Sequence, residues 1–320
     1  MTKKSISENW FSGGFKILFN SIKLYFINFE TFIKLLAFPV LGQLLGLFLI
    51  FTVNYFFVMN VPELANTIPL FNNITFVFSL LIICIIPCFL IFAKAFFDYV
   101  LAMGSLNLMA NHILDKGKLN DAEIHKDILK SHLSGYFGLL IILSLIFLIL
   151  SFPLFWVLLI PIAILLSLSI QAFVMEDNLS PFGAIRRSYL FVRYNFLKTL
   201  FLLVLLTIVC YFFLPEFFNW LVDKANMHIV LTTPIDLYIN LLPVDEFNNI
   251  LSALGNTGLQ IQEHNISTFI IQSAASFIII GFSLPIRAIA CCDLYRELRG
   301  KNITRDDAEI KKIAKRAVSK

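Results

Sequence analysis

The chain has 320 residues, of which 58% are hydrophobic and only 14% charged, with a mean hydropathy of +0.83 and a formal charge of +4. A soluble globular domain does not have that balance. A bilayer core of roughly 30 Å needs about 20 apolar residues per helix, so this length accommodates six crossings and their loops but no separate catalytic domain.

The charged and polar first residues run into a stretch over 7–30 with helical spacing. Phe11, Phe15, Leu18, Ile22, Phe26 and Phe29 recur on one face and Asn9, Ser12, Lys16, Asn20 and Lys23 on another. This pattern predicts an amphipathic helix lying in the membrane interface, with Trp10 anchoring its start. No short apolar core with a small-residue cleavage site follows, so no cleavable signal is expected. The first span is predicted over 32–59, with Lys34 snorkelling to the headgroups, and the second over 74–97.

The segment 111–134 reads as a solvated helical connection of mixed charge. His112, His125 and His132 lie there among Asp115, Asp121, Glu123 and Asp127, but their spacing matches no ligand motif and no metal is expected. From Gly135 to Val174 the chain then runs without an Asp, Glu, Lys, Arg or His. That stretch would be about 60 Å long as a helix, twice the bilayer core. It must turn back, and Ser151-Phe152-Pro153 is the expected corner, because proline lacks a donor and biases the residue before it away from helix. Spans three and four are therefore placed at 135–151 and 154–174.

A second interfacial helix is predicted over 178–196, with Asp177 or Ser180 as its cap and Pro181 in its first turn. Arg186 and Arg193 share one face of it. With Arg187 they are candidate ligands for anionic headgroups or a phosphate-bearing molecule, since guanidinium forks match phosphate oxygens. Ordinary positive-inside anchoring explains the same residues. Setting Ser21 against Ser188 brings Leu24 to Phe191, Asn28 to Asn195 and Phe29 to Phe196, which suggests an internal duplication of interfacial helix plus span.

Span five is placed at 197–213 and span six at 269–289. Between them, 219–265 reads as an acidic extracytoplasmic cap, with helical apolar spacing at Leu237, Leu241, Val244, Phe247 and Leu251. The remainder, 291–320, reads as a basic tail whose short helix begins at Thr304, with Asp307 completing a capping box. The expected fold class is thus all-α: a polytopic membrane protein with about six transmembrane helices and two interfacial ones. Of the 25 Lys and Arg residues, only Lys224 falls in the gaps 61–73 and 220–265. By the positive-inside rule both termini are then cytoplasmic in a multi-pass protein of the cytoplasmic (inner) membrane.

The segments "NLSPFGAIRRSYLFVRYNFLKTL" and "LPIRAIACCDLYRELRG", together with the amphipathic first helix, resemble the bacterial multi-span membrane domain found fused to some glycerophosphoryl diester phosphodiesterases. The resemblance covers most of the chain. It implies an integral membrane protein whose fused relatives carry their enzymatic work in a separate soluble domain, and no such domain is expected among these 320 residues.

No glycine loop for phosphate, nucleophile elbow or paired-histidine zinc helix occurs, so neither enzyme activity nor a cofactor is expected. Cys84, Cys88, Cys210, Cys291 and Cys292 lie in or beside spans and form no disulfide framework. Expected partners are membrane lipids, anionic ones in particular, and a membrane or cytoplasmic protein; nucleic acid is not among them.

Two functions stay open. One is lipid binding, membrane organisation or an accessory role through the interfacial helices. The other is transport of a small solute or lipid through spans interrupted by Pro87 and Pro161. In the transport reading Asp98 is a proton or cation site, assisted by Gln43, Asn54, Gln171 and Gln272. Lys94, four residues before Asp98, makes an ion pair the alternative there.

Overall fold

The computed structural model describes residues 4–119, 133–176, 179–225 and 263–318, with Ile235, Ile239, Asn248 and Asn249; over 4–10, 263–264 and 302–318 only the backbone is described. Every described element is helical. In chain order they are α1 (Lys4–Ile27), α2 (Phe29–Thr67), α3 (Ile74–Lys116), α4 (Leu133–Leu150), α5 (Trp156–Leu166), α6 (Ser169–Met175), α7 (Pro181–Arg193), α8 (Phe196–Thr207), α9 (Leu214–Lys224), α10 (Glu263–Phe282) and α11 (Leu284–Val318). Short 3-10 turns stand at Pro69–Asn72 and Pro153–Phe155, and a π-helical turn at Ile208–Phe213 joins α8 to α9.

Six of the described stretches are long and apolar enough to cross a bilayer: Phe29–Thr67, Ile74–Lys116, Leu133–Leu150, Pro153–Met175, Phe196–Lys224 and Asn265–Lys301. The protein is an all-α polytopic membrane protein. In all six, at most 33% of the most apolar window is buried within the chain. Lipid is the natural cover for the rest, since water cannot hold so much apolar surface apart.

Several helices outrun their apolar runs. α2 continues past the expected end at 59, through Pro62, to Thr67, and α3 passes 97 to reach Lys116. At 43 residues α3 is about 64 Å long, roughly twice the core of a bilayer. It stops at Gly117, whose φ of 76° lets its N–H reach the Ile113 carbonyl at 2.7 Å. This is a left-handed helix stop that side chains other than glycine resist.

The expected corner is present at 151–155, where Phe152 is extended (φ −63°, ψ 138°) before Pro153. Span five extends beyond 213 through Lys224, so α9 occupies the first residues assigned to the extracytoplasmic cap. The cap's apolar positions Leu237, Leu241, Val244, Phe247 and Leu251 lie outside the described residues, as do His125 and His132.

Thr304 does not begin a helix. α11 runs unbroken from Leu284 to Val318, and its first half is packed rather than a solvated tail: Cys292, Leu294, Tyr295 and Leu298 are fully buried. The capping-box spacing at Thr304 lost to simple propagation, since continuing a helix adds one bond per residue while starting one carries a nucleation cost.

The chain divides into two compact units. The first comprises Met1–Leu35, Val100–Ile208 and Ser283–Lys320; the second comprises Leu36–Tyr99 and Val209–Phe282.

In the first unit α1 packs on α8 and α11, while α7 lies against α4, α5, α6 and α11. α1 has three faces rather than two. Gly14, Ile17, Leu18, Ser21, Leu24 and Tyr25 are buried, Phe11, Phe15, Phe19 and Phe26 are exposed, and Lys16 and Lys23 are exposed on another side. Leu18, expected on the lipid face, is therefore inside. The Gly13-Gly14 step makes close approach by α8 feasible. A Cβ on Gly14 would lie 2.7 Å from the Phe201 ring, and one on Gly13 would lie 3.2 Å from the Lys198 ammonium.

In the second unit α2 and the first part of α3 pack through a Gly-x-x-x-Gly pair, a device that lets membrane helices approach at backbone distance. A Cβ on Gly46 would lie 2.7 Å from the backbone nitrogen of Phe92, and one on Gly42 would lie 2.9 Å from the Ala95 methyl. α9 and α10 form a second pair there, bridged by the Asn219 amide donating to Ser276 at 3.3 Å.

Two of the positions set against each other in sequence, Asn28 and Asn195, share local geometry. Asn28 follows α1 and Asn195 precedes α8, each at a helix junction. The Asn28 amide donates to the Leu24 carbonyl at 2.9 Å and the Asn195 amide to the Phe191 carbonyl at 3.1 Å. Both backbone carbonyls then begin the following helix, accepting from Phe32 and Thr199. Ser21 and Ser188 are fully buried, yet they differ in bonding. The Ser21 hydroxyl donates to Ile17 in its own helix, whereas Ser188 donates to the Leu165 carbonyl and accepts from the Leu168 N–H.

Candidate functional site

The chemistry of the first unit converges on the stretch 292–299 of α11. Helical spacing sends Cys292 and Arg296 to one side, Asp293 and Glu297 to a second, and Tyr295 and Arg299 to a third. Each pair meets a different set of helices.

On the first side, Arg296 donates from Nε to the Asn111 side-chain oxygen at 2.8 Å. Its two terminal nitrogens reach the Asp115 carboxylate at 2.7 and 2.8 Å. This is the two-pronged geometry in which a guanidinium binds most strongly, here with an amide added. One turn earlier the Cys292 thiol meets the Asn107 carbonyl at 3.5 Å. The Asn107 side-chain oxygen accepts from the buried Gln171 amide at 3.0 Å.

On the second side, Glu297 forms ion pairs with Lys198 of α8 and with Lys301. The Lys198 side chain is only 7% exposed, so its charge depends on that carboxylate for compensation. Asp293 accepts from the Asn20 amide of α1 at 3.4 Å.

On the third side, Glu176, at the end of α6, accepts from the Tyr295 hydroxyl at 2.6 Å. It faces Arg187 Nε at 3.3 Å and Arg299 Nε at 3.9 Å.

The arginines of α7 are divided by this arrangement. Arg187 turns to Glu176 and its guanidinium stands 5.9 Å from the Phe191 ring. Arg186 and Arg193 are exposed. The Arg193 guanidinium lies 5.9 Å from the Tyr189 ring and 5.7 Å from the Tyr194 ring, with Phe182 and Leu197 exposed nearby in sequence. Ser180 caps the helix by accepting from the Gly183 N–H at 3.1 Å, with Pro181 in the first turn. The opposite face, Ala184, Ser188, Phe191 and Val192, is buried. α7 is thus fixed by its apolar side and presents arginine and tyrosine outward.

In the second unit Lys94 and Asp98 form a 2.6 Å ion pair on one face of α3, and the Lys94 ammonium lies 5.8 Å from the Phe38 ring. Asp98 is already neutralised by its neighbour. Gln43 and Asn54 donate to the Pro39 and Ile50 carbonyls of their own helix. Gln272 lines a small cleft with Asn219, Val222, Asp223, Thr268 and Ile271. Gln171, in the first unit, bonds Asn107. Of the polar residues assembled for the transport reading, Gln171 belongs to the first unit and Gln43, Asn54, Asp98 and Gln272 to the second.

Among the described residues no group of three His, Cys, Asp or Glu side chains is placed to hold a metal, and all five cysteines are free thiols. Compared with protein-family models, curated proteins and solved structures, the chain matches none.

Proposed function

We propose that this is a non-enzymatic protein of the bacterial cytoplasmic membrane, with both termini inside, that binds anionic phospholipid and organises it or supports neighbouring membrane proteins. Kinship with the membrane domain that accompanies some glycerophosphoryl diester phosphodiesterases belongs to the same reading. The observation that carries it is the outward face of α7. Arg186 and Arg193 are exposed there, with Tyr189, Tyr194 and Phe182 exposed beside them, the mixture of cation and amphipathic ring that suits a headgroup layer. The phenylalanine stripe and the exposed Lys16 and Lys23 of α1 add a second such surface. The near absence of Lys and Arg from the gaps 61–73 and 220–265 supports the inward placement of both helices.

The test is mass spectrometry of the protein extracted with its native lipid, against an unrelated six-span control. Enrichment of anionic lipid that falls in an Arg186→Gln/Arg193→Gln variant is the expected result. Equal lipid in variant and parent overturns the lipid-binding role of this face, and a stoichiometric protein partner redirects the reading to the accessory role.

A further inference from the structure

We propose that Arg187 of α7 and Arg299 of α11 form a second, separate site for a phosphodiester monoanion, with Glu176 as the internal group that sets its charge. Two guanidiniums from helices distant in sequence converge on one carboxylate. The Glu176 side chain is 12% exposed, whereas those of Arg187 and Arg299 are 49% and 47% exposed. The carboxylate is thus the covered member and the arginines are its open rim.

Glu176 is held independently of them. It terminates α6 in an extended conformation (φ −113°, ψ 120°) and accepts a 2.6 Å bond from the Tyr295 hydroxyl, whose residue is fully buried. Each arginine comes closest to it with Nε, at 3.3 and 3.9 Å, and neither guanidinium makes a hydrogen bond to a described residue. A guanidinium carries five N–H donors in a flat fork, so most of the donor capacity of this pair is left for another acceptor.

The trio carries one net positive charge. A singly charged phosphodiester neutralises it, whereas a doubly charged phosphomonoester leaves an excess negative charge against Glu176. A phosphodiester is the chemistry of a phospholipid headgroup and also of a soluble glycerophosphodiester, and both present the paired oxygens that an arginine fork accepts. A purely structural role for Glu176, joining α6 to α7 and α11, predicts the opposite response when its charge is removed.

The experiment uses the full chain in detergent, titrated with dihexanoyl phosphatidylglycerol, with its deacylated headgroup glycerophosphoglycerol, and with glycerol phosphate as the monoester. Binding of the diester, weakened about tenfold or more in Arg187→Gln/Arg299→Gln, is expected. Glu176→Gln keeps an oxygen for Tyr295. It should tighten diester binding several-fold and raise the relative affinity for the monoester. Binding of both diester probes identifies a headgroup site open to soluble ligands, and binding of the acylated probe alone identifies a lipid site; either supports the proposal. Unchanged diester affinity in the double arginine variant, or weaker binding in folded Glu176→Gln, overturns it. Arg186→Gln/Arg193→Gln serves as the control. If that variant loses bulk anionic lipid but keeps this titration, the two sites are separate, and failure of either leaves the other standing.

Discussion

The two units satisfy their polar side chains in different ways. In the second unit Gln43, Thr52, Asn54, Asn60 and Ser79 each donate to the carbonyl four residues earlier in their own helix, α2 meets α3 through glycines at backbone distance, and one side-chain bond, Asn219 to Ser276, crosses between α9 and α10. In the first unit Lys198, Arg296, Tyr295, Asn20 and Gln171 reach across to other helices. A helix that silences its polar groups locally faces lipid on any side and relies on shape for its partners. One whose polar groups need a distant partner has a single correct neighbour. Stability in the first unit should therefore respond to charge, and in the second to volume.

The largest expected effect tests the charge side. Glu297→Ala leaves Lys198 buried without its carboxylate and should cost about 3–5 kcal/mol, read as a fall in the unfolding midpoint of the detergent-solubilised chain. Replacing both partners, Lys198→Met with Glu297→Leu, should recover most of that loss, because an apolar pair carries no desolvation cost. A double variant as unstable as the single one would show that shape, not charge, decides the contact. On the volume side, Gly46→Ala places a Cβ against the Phe92 backbone and should cost about 1–3 kcal/mol, with no sensitivity to salt.

Arg296→Lys comes next. It keeps the charge but loses the fork that serves Asn111 and Asp115 together, for an expected cost of about 1–2 kcal/mol. The smallest effect is expected at the one ion pair that the second unit contains among its described residues. Lys94 is 65% exposed, so Asp98→Asn should change stability by less than about 0.5 kcal/mol. In proteoliposomes with a working flux assay it should also leave transport unchanged. Loss of flux there would establish Asp98 as a transport site.

Hydropathy alone located all six long helices, because forty-odd or twenty-odd apolar residues have few other fates. Their ends were less visible. α3 leaves its apolar run at Asp98 and continues as helix because its following turns, Ala102, Leu106, Met109 and Ile113, are buried against protein. A window that scores lipid solubility does not register that change of environment. The site was harder still.

Arg186, Arg187 and Arg193 stood out as a cluster in sequence, yet the structure separates Arg187 from the other two by giving it Glu176. The residues that complete its surroundings, Tyr295 and Arg299, lie more than a hundred positions away. The signal that was present is the dense run Asp293 to Arg299, in which every polar side chain proves to have a distant partner. Read as a tail, it looked like anchoring. Gly42 and Gly46, one turn apart and close against α3, are a signal of helix packing that a reading of hydropathy and charge passes over.

The position of α11 in the chain gives those contacts an order in time. Asn28 holds Gly117 and Leu119 by its side chain, bonds that close within the first 119 residues to leave the ribosome. Lys198 and Asn111, by contrast, are synthesised long before Glu297 and Arg296. Until α11 arrives, a lysine at the head of the fifth span has no carboxylate, and the Asp115 and Glu176 carboxylates lack their later partners. A nascent chain halted before residue 290 therefore carries charges at its helix ends without the partners that α11 supplies.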